Sequence, residues 1–254
     1  MPQENISIEA VNDGLIYIQT DIRNFFNWKL SDDLRSAENL LHRIENSGIE
    51  NWTRNSRNMT LTDISNKLNN GVENVAIIGA AVEKYEILDK LKSSTLFIAA
   101  DGAVGIFETL PDSVADIAWS RLICVVSDAD GGIGVELALQ RKIPIILHAH
   151  GDNLLEWNQL LSLAIQSYTD TKIVLTHQTP KKIDGMFNVG GFTDGDRAVC
   201  FTRSLGVPRE RISILGTRTD IVGKWSGITN EKIKLLKLQW MEKILQILDI
   251  NYSD

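Results

Sequence analysis

The chain has 254 residues, of which 43% are hydrophobic, and a formal net charge of −7. Such a composition can fill a sizeable core, and the negative charge without any basic run excludes a surface for nucleic-acid phosphates. The N-terminus lacks the basic start and apolar core of a signal peptide, and no apolar run approaches the roughly 20 residues of a membrane span. We therefore predict a cytoplasmic protein with no nucleic-acid or membrane partner.

Residues 1–70 are rich in asparagine and charged residues. The segment SDDLRSAENLLHRIE predicts one helix there, with two aspartates suited to its first turn. We expect a small N-terminal region that packs on a main domain at residues 71–254, with Trp28 and Trp52 in that packing rather than in a ligand site.

Short β-rich runs alternate with helical segments from Asn74 onward. The runs are NVAIIGA (74–80), TLFIAAD (95–101), LICVVSD (122–128), IPIILHAH (143–150), KIVLTHQ (172–178) and RISILG (211–216). Continuous apolar strands of this kind are buried on both faces, which predicts an α/β fold with a mostly parallel, open sheet flanked by helices. The last segment, TNEKIKLLKLQWMEKILQILD, predicts a long amphipathic helix whose basic residues form a solvated face.

Acidic residues follow three of the predicted strands. Asp101 follows the second strand, Asp128 and Asp130 follow the third, and Asp152 follows the fourth. Each of these aspartates, taken alone, is as consistent with a turn or a helix cap as with a functional site. The carboxyl ends of parallel strands share one edge, so we expect the four carboxylates to converge there and to require a cation. Oxygen ligands of this kind favour Mg²⁺, which also binds substrate phosphates.

Two histidines lie at the end of the fourth strand, in the stretch HAHGDN (148–153), and His177 lies at the end of the fifth. A zinc site, as in amidohydrolase barrels, is one interpretation. A barrel of that type needs most of its roughly 250 residues after the histidine pair, and this chain has far fewer there. We expect His150 to orient a phosphate or a carboxylate, and His148 to be a core residue.

The stretch NVGGFTDGDRAV (188–199) leads into another predicted helix. Glycines before a helix leave backbone N–H groups free for an anion. Asp194 and Asp196 are suited either to capping that helix or to contacting a metal or a donor-rich ligand, and Arg197 can supply compensating positive charge.

The motifs ADGA, SDADGG, HAHGDN and GGFTDGDRAV, in this order, resemble the archaeal 6-hydroxymethyl-7,8-dihydropterin pyrophosphokinase family, which is similar to thiamin pyrophosphokinases. The resemblance extends from Asn74 to the C-terminus. It implies a Rossmann-like domain that uses Mg²⁺ to transfer diphosphate from ATP to the hydroxymethyl group of a reduced pterin. The products would be AMP and the pterin diphosphate, in folate or methanopterin-type cofactor synthesis. In the loop after the first strand, the family has a sequence similar to GAGPSLE, whereas this chain has GAAVEKYE (79–86).

The resemblance also implies roles for individual residues. Asp128 and Asp130 would be the core Mg²⁺ ligands, and Asp101 and Asp152 would complete the shell directly or through water. The residues implied to bind nucleotide or pterin are His150, Asn153, Gln178, Asn188, Gly190, Gly191, Thr193, Asp194, Asp196 and Arg197.

Other functions stay open at this point. Two are enzymatic: diphosphate transfer to thiamin or another alcohol, and a metal-dependent glycosyltransferase. A regulator that only binds a nucleotide is the third. The oligomeric state also stays open, a homodimer included.

Overall fold

The computed structural model describes residues 7–71, 73–167, 170–227 and 229–251. In these residues, six strands form one open sheet in which every neighbouring pair is parallel. The strands are β1 (Asn74–Ile78), β2 (Thr95–Ala100), β3 (Leu122–Ser127), β4 (Ile145–Ala149), β5 (Ile173–His177) and β6 (Ile212–Leu215). Each lies inside one of the predicted β-rich runs, and the predicted α/β fold class is confirmed.

Helices flank this sheet. Those of the described residues are α1 (Gly14–Phe26), α2 (Leu30–Glu45), α3 (Arg54–Asn69), α4 (Lys84–Leu91), α5 (Asp112–Ser120), α6 (Ile133–Gln140), α7 (Leu154–Gln166), α8 (Asp194–Ser204) and α9 (Glu231–Ile247). A 3-10 segment, Asp101–Thr109, directly follows β2. None of the described helices is long and apolar enough to cross a lipid bilayer.

The order in which the strands are added to the sheet reverses after β5. Strands β1 to β5 follow one another across the sheet, whereas β6 returns to the other side of β1, where Val75 pairs with Ile212. Because parallel crossovers are right-handed, this reversal places α4 to α7 on one face and α8 on the other, where α9 also packs. The strand order therefore reverses at β1 and β6, and ligands of open parallel sheets bind at the carboxyl ends of the strands where the order reverses.

The helices before β1 belong to both core layers. Leu40 and Ile44 of α2 pack on the side of α4 to α7, whereas Leu15 of α1 and Leu61 of α3 pack on the side of α8 and α9. Trp52 is buried, as predicted, and its Nε1 donates a hydrogen bond to a backbone carbonyl near β5. The boundary between residues 70 and 71 stays a prediction.

Candidate active site

Three aspartates from neighbouring strand ends converge at the carboxyl edge of the sheet. Asp101 follows β2, Asp128 and Asp130 follow β3, and one carboxylate oxygen of each lies within 4.8 Å of the other two. Ser127 joins the two strand ends, because its hydroxyl donates to Asp101 Oδ1 at 2.5 Å and accepts from the Ala129 N–H at 2.8 Å. The predicted convergence is therefore present for three of the four acidic residues.

The backbone around these carboxylates is unusual for residues with side chains. Asp101 has a φ of 50° and Ala129 a φ of 80°, both in the left-handed region. Gly131 packs so closely that a Cβ would lie 2.4 Å from Asp101 Oδ2, so glycine is needed in the SDADGG turn. Strained backbone of this kind is common where side chains must be aimed at a ligand.

The three carboxylates differ in how easily they ionise. Burial, followed by the charges of Asp194 and Asp128, raises the pKa of Asp101 well above its ordinary value. Burial and the charge of Asp128 raise the pKa of Asp130 to about 6. Burial also opposes ionisation of Asp128, but the hydrogen bond and charge of His150 outweigh it and lower the pKa of Asp128. Asp128 is therefore the carboxylate that stays ionised without a cation.

The arrangement fits a divalent cation. Asp128 Oδ1 is buried and has no hydrogen-bond partner among the described residues. A cation bound between the three carboxylates would satisfy this oxygen and remove the repulsion that raises the pKa of Asp101. Hard carboxylate oxygens suit Mg²⁺, Mn²⁺ or Ca²⁺ rather than a soft metal.

The HAHGDN segment supports the carboxylates from β4. His150 Nε2 lies 3.1 Å from Asp128 Oδ2, and His150 Nδ1 lies 2.6 Å from Asp152 Oδ1. Burial disfavours the charged ring, but these two carboxylates raise the pKa of His150 to about 9. Asp152 is thus engaged with His150, its side chain is 72% exposed, and it lies outside the three-carboxylate cluster.

Asn153 is buried and bonds the protein's own groups. Its Nδ2 donates to the carbonyls of Asp128 at 2.9 Å and His148 at 2.7 Å. Its Oδ1 accepts from the backbone N–H of His150 at 3.0 Å and from Ser36 Oγ at 3.2 Å. An amide side chain offers two donors and two acceptor sites, so Asn153 is fully used in holding the ends of β3 and β4 together.

Gln178 and Asn188 also face protein groups. Gln178 Nε2 donates to Asp33 Oδ1 at 3.0 Å. Asn188 Nδ2 donates to Gln19 Oε1 at 2.9 Å, and Asn188 Oδ1 accepts from Gln19 Nε2 at 3.1 Å. Both residues connect the strand-end loops to α1 and α2, whereas the family resemblance implied contacts with a ligand.

The two aspartates at the start of α8 have different environments. Asp196 is buried and accepts from the N–H groups of Phe192 at 2.6 Å and Thr193 at 2.8 Å, which completes a capping box with Thr193. Asp194 Oδ1 accepts from Arg197 Nη1 at 2.8 Å. Burial and the charge of Asp128 raise the pKa of Asp194 to about 7, and Asp194 lines the same cleft as the carboxylate cluster.

The glycines before α8 allow a close approach of two backbone segments. Gly190 and Gly191 have φ values of 85° and 89°. A Cβ at Gly191 would lie 2.5 Å from the Cα of Arg197. Glycine is therefore required for this turn, independently of any anion bound there.

A cleft at the carboxyl ends of β1 and β6 contains the cluster. Its lining includes Asp101, Asp128, Asp130, His150, Gln178, Thr193, Asp194, Trp28, Phe192, Trp225, Lys234 and Lys237. Two expectations are corrected here. Trp28 packs by stacking on Phe26, with ring centroids 4.7 Å apart, but it also lines the cleft. Lys234 and Lys237 are half-buried in the cleft wall, so the basic residues of α9 are not all on a solvated face.

No protein-family model matches the chain, but two curated proteins are similar to it. A 6-hydroxymethyl-7,8-dihydropterin pyrophosphokinase from Pyrococcus furiosus is 34% identical over 160 residues, which are 61% of this chain and 60% of that protein. The predicted resemblance is confirmed. A protein of the same name from Methanothermobacter thermautotrophicus is 29% identical over 166 residues, 61% of this chain and 63% of that protein. The match therefore spans less than two thirds of either pyrophosphokinase.

The loop in which this chain departs from the pyrophosphokinase pattern still lines the cleft. Residues 79–81 of GAAVEKYE form part of the wall. Ala81 N–H donates to the Gly216 carbonyl at 3.0 Å, and the Ala80 carbonyl accepts from Trp225 N–H at 3.0 Å. These hydrogen bonds fix the loop against the segment after β6.

Asp196→Ala is expected to lower the free energy of unfolding by about 1–3 kcal/mol, because the buried N–H of Phe192 and the partly buried N–H of Thr193 lose their acceptor. Urea unfolding measures this. Asp194→Asn is the control: it keeps an acceptor for Arg197 and removes a charge beside Asp128, so its stability should equal or exceed that of the wild type. An Asp196→Ala protein of unchanged stability would contradict the capping role.

Stability should also fall in weak acid because of His177. Burial lowers the pKa of His177 to about 4, and its Nδ1 accepts a hydrogen bond from Thr179 N–H at 3.1 Å. In the unfolded chain, His177 binds a proton near pH 6.5, whereas in the folded chain it binds one only near pH 4. As the pH falls from 6.5 to 4, the free energy of unfolding therefore decreases by up to about 3 kcal/mol because of this residue.

Urea unfolding at several pH values measures this. The free energy of unfolding should decline less steeply with falling pH for His177→Gln than for the wild type, and equal declines would refute this assignment.

Proposed function

We propose that the protein transfers diphosphate from ATP to the hydroxymethyl group of 6-hydroxymethyl-7,8-dihydropterin, with Mg²⁺, and releases AMP. The observation that carries this proposal is the cluster of Asp101, Asp128 and Asp130 in the cleft between β1 and β6. The names of the two similar proteins supply the acceptor and the reaction class. The product would feed tetrahydrofolate or methanopterin-type cofactor synthesis.

The reaction breaks a phosphoanhydride bond of ATP and forms a phosphoester bond to the pterin. The hydroxymethyl oxygen of the pterin attacks the β-phosphorus of ATP, and the bond from that phosphorus to the α,β-bridging oxygen breaks. AMP leaves with the bridging oxygen, and the hydroxyl proton is lost. Such a transfer depends on position and on charge neutralisation more than on covalent help from the protein.

The cleft offers groups for both requirements. Asp101, Asp128 and Asp130 would hold Mg²⁺, which when bound offsets the charge of the phosphate oxygens. His150 keeps Asp128 ionised and fixes its orientation through the 3.1 Å contact. Asn153 holds the backbone of Asp128 in place.

The aromatic side of the cleft is suited to a planar ring. The rings of Trp28 and Phe192 lie with centroids 6.0 Å apart and line the cleft beside His150. Apolar ring faces beside polar groups suit a pterin, whose ring is flat and whose edge is rich in donors and acceptors. We infer that the acceptor binds on this side and that ATP binds toward the crevice between β1 and β6.

The test is to incubate the protein with ATP, Mg²⁺ and the reduced pterin alcohol and to measure nucleotides. We expect equal amounts of AMP and pterin diphosphate, and no reaction with a chelator present. ADP as the product would refute diphosphate transfer. Turnover with thiamin instead of the pterin would favour the thiamin pyrophosphokinase alternative, and release of a sugar nucleotide would favour a glycosyltransferase.

A further inference from the structure

Two lysines of α9 face the cleft instead of bulk solvent. Lys234 and Lys237 are one helical turn apart and line the cleft together with Leu238 and Met241, the residues by which α9 packs on the domain. By contrast, Lys232 and Lys243 of the same helix are exposed. The helix therefore presents two of its ammonium groups to the site.

Each lysine lies near a different part of the site. The charge of Lys234 acts on Asp130 and Asp194, beside the carboxylate cluster. Lys237 Nζ lies 5.3 Å from the ring centroid of Trp28 and 5.9 Å from that of Phe192. The two ammonium groups therefore extend from the cluster to the aromatic side of the cleft.

Other cations of the cleft are already engaged by carboxylates. His150 lies between Asp128 and Asp152, and Arg218 Nε and Nη2 donate to Asp220 at 2.8 and 2.6 Å. Among the residues that the structure describes, neither Lys234 nor Lys237 forms an ion pair or hydrogen bond through its ammonium group. Their positive charge is available to a ligand.

The charges of the cleft indicate what that ligand is. A single divalent cation carries fewer charges than the three carboxylates that would hold it, so the metal alone does not make the cluster attractive to a polyphosphate. The amines of Lys234 and Lys237, which line the same cleft, supply the missing positive charge beside the three carboxylates.

We propose that Lys234 and Lys237 bind the diphosphate group that is transferred, in the cleft that also contains the three aspartates. Lys234 contacts it beside the cluster, and Lys237 contacts it on the acceptor side, next to Trp28 and Phe192. The identity of the donor as ATP rests on the proposed function, whereas polyphosphate binding by the two lysines does not.

The test measures binding without turnover. Titration calorimetry with α,β-methylene-ATP plus Mg²⁺, with inorganic pyrophosphate plus Mg²⁺, and with AMP is compared for wild type, Lys234→Gln, Lys237→Gln and Lys234→Arg. Lys232→Gln is the matched control, since it removes an exposed charge from the same helix. Melting temperatures establish that each variant is folded.

Both Gln variants should bind the ATP analogue and pyrophosphate at least about tenfold more weakly than the wild type. Their affinity for AMP should be unchanged, because AMP lacks the transferred group. Lys234→Arg should recover much of the loss, and Lys232→Gln should bind as the wild type does.

Three results would overturn the proposal: wild-type protein that does not bind the analogue, Gln variants that bind it as tightly as Lys232→Gln, or an equal loss for AMP. These results are separate from the fate of the proposed function. A wild-type protein that binds the analogue through these lysines but releases no AMP would refute the pterin reaction and leave the polyphosphate site intact.

Discussion

Asp130→Asn will reduce AMP formation at least about a hundredfold and will at the same time stabilise the fold. If the proposed function holds, activity falls because the divalent cation that the cluster would hold loses one of its three ligands. Stability rises because burial and the charge of Asp128 raise the pKa of Asp130 to about 6, so at pH 7 the ionised carboxylate is held in an unfavourable place. Because Asp130 is solvent-exposed and water screens this repulsion, its removal should raise the free energy of unfolding only slightly.

Asp128→Asn separates these two effects. It should lose activity to the same extent, but it also removes the negative charge that pairs with His150, so it should not stabilise the fold. Asp116→Asn, an exposed residue of α5, is the control for loss of a negative charge. Initial rates at limiting Mg²⁺ and urea unfolding at pH 7 give both quantities. Near-normal rates for either cluster variant would refute the metal site, and a destabilised Asp130→Asn would refute the crowding of charges.

Asp33→Ala should lower the free energy of unfolding by about 3–5 kcal/mol, the largest stability effect that we expect in the chain. Asp33 and Arg23 form an ion pair at 3.2 Å with side chains only 4% and 6% exposed. Asp33 Oδ1 also accepts from Gly151 N–H at 2.8 Å and from Gln178 Nε2 at 3.0 Å. Removal of Asp33 leaves the buried Arg23 guanidinium without its charge partner and leaves two further donors without their acceptor.

The neighbouring residue provides a matched control. Asp32 pairs with Arg35 at 3.2 Å, but these side chains are 39% and 64% exposed, so Asp32→Ala should change stability by at most about 1 kcal/mol. Urea unfolding of both variants measures the difference. Equal effects would show that the buried pair contributes no more than the exposed one.

The sheet and the carboxylate cluster could be predicted because each depends on simple patterns. Strands buried on both faces are continuous apolar runs, which makes β1 to β5 recognisable in the sequence, and the half-buried edge strand β6 has a similar apolar run. Asp101, Asp128 and Asp130 follow such strands, and the parallel arrangement brings strand ends together regardless of their separation in the chain.

The roles of other side chains could not be predicted because hydrogen-bond partners leave no periodic signal. Asn153 and Asn188 are in motifs that resemble a binding site, yet their amides are used by Asp128, His148 and Gln19. The lysines of α9 were assigned to solvent because helical periodicity separates polar from apolar faces but does not reveal that a polar face borders a cleft. The spacing of Lys234 and Lys237 next to Leu238 and Met241 was the available signal.

The position of β6 beside β1 has a consequence for synthesis of the chain. Residues 75–78 are fully buried in the folded sheet. Of the six strands, β6 is synthesised last, so one edge of β1 stays unpaired until β6 has left the ribosome. An unpaired edge of this kind recruits strands from other chains. We therefore expect chains that stop before Arg211 to aggregate, because they lack the strand that covers the edge of β1.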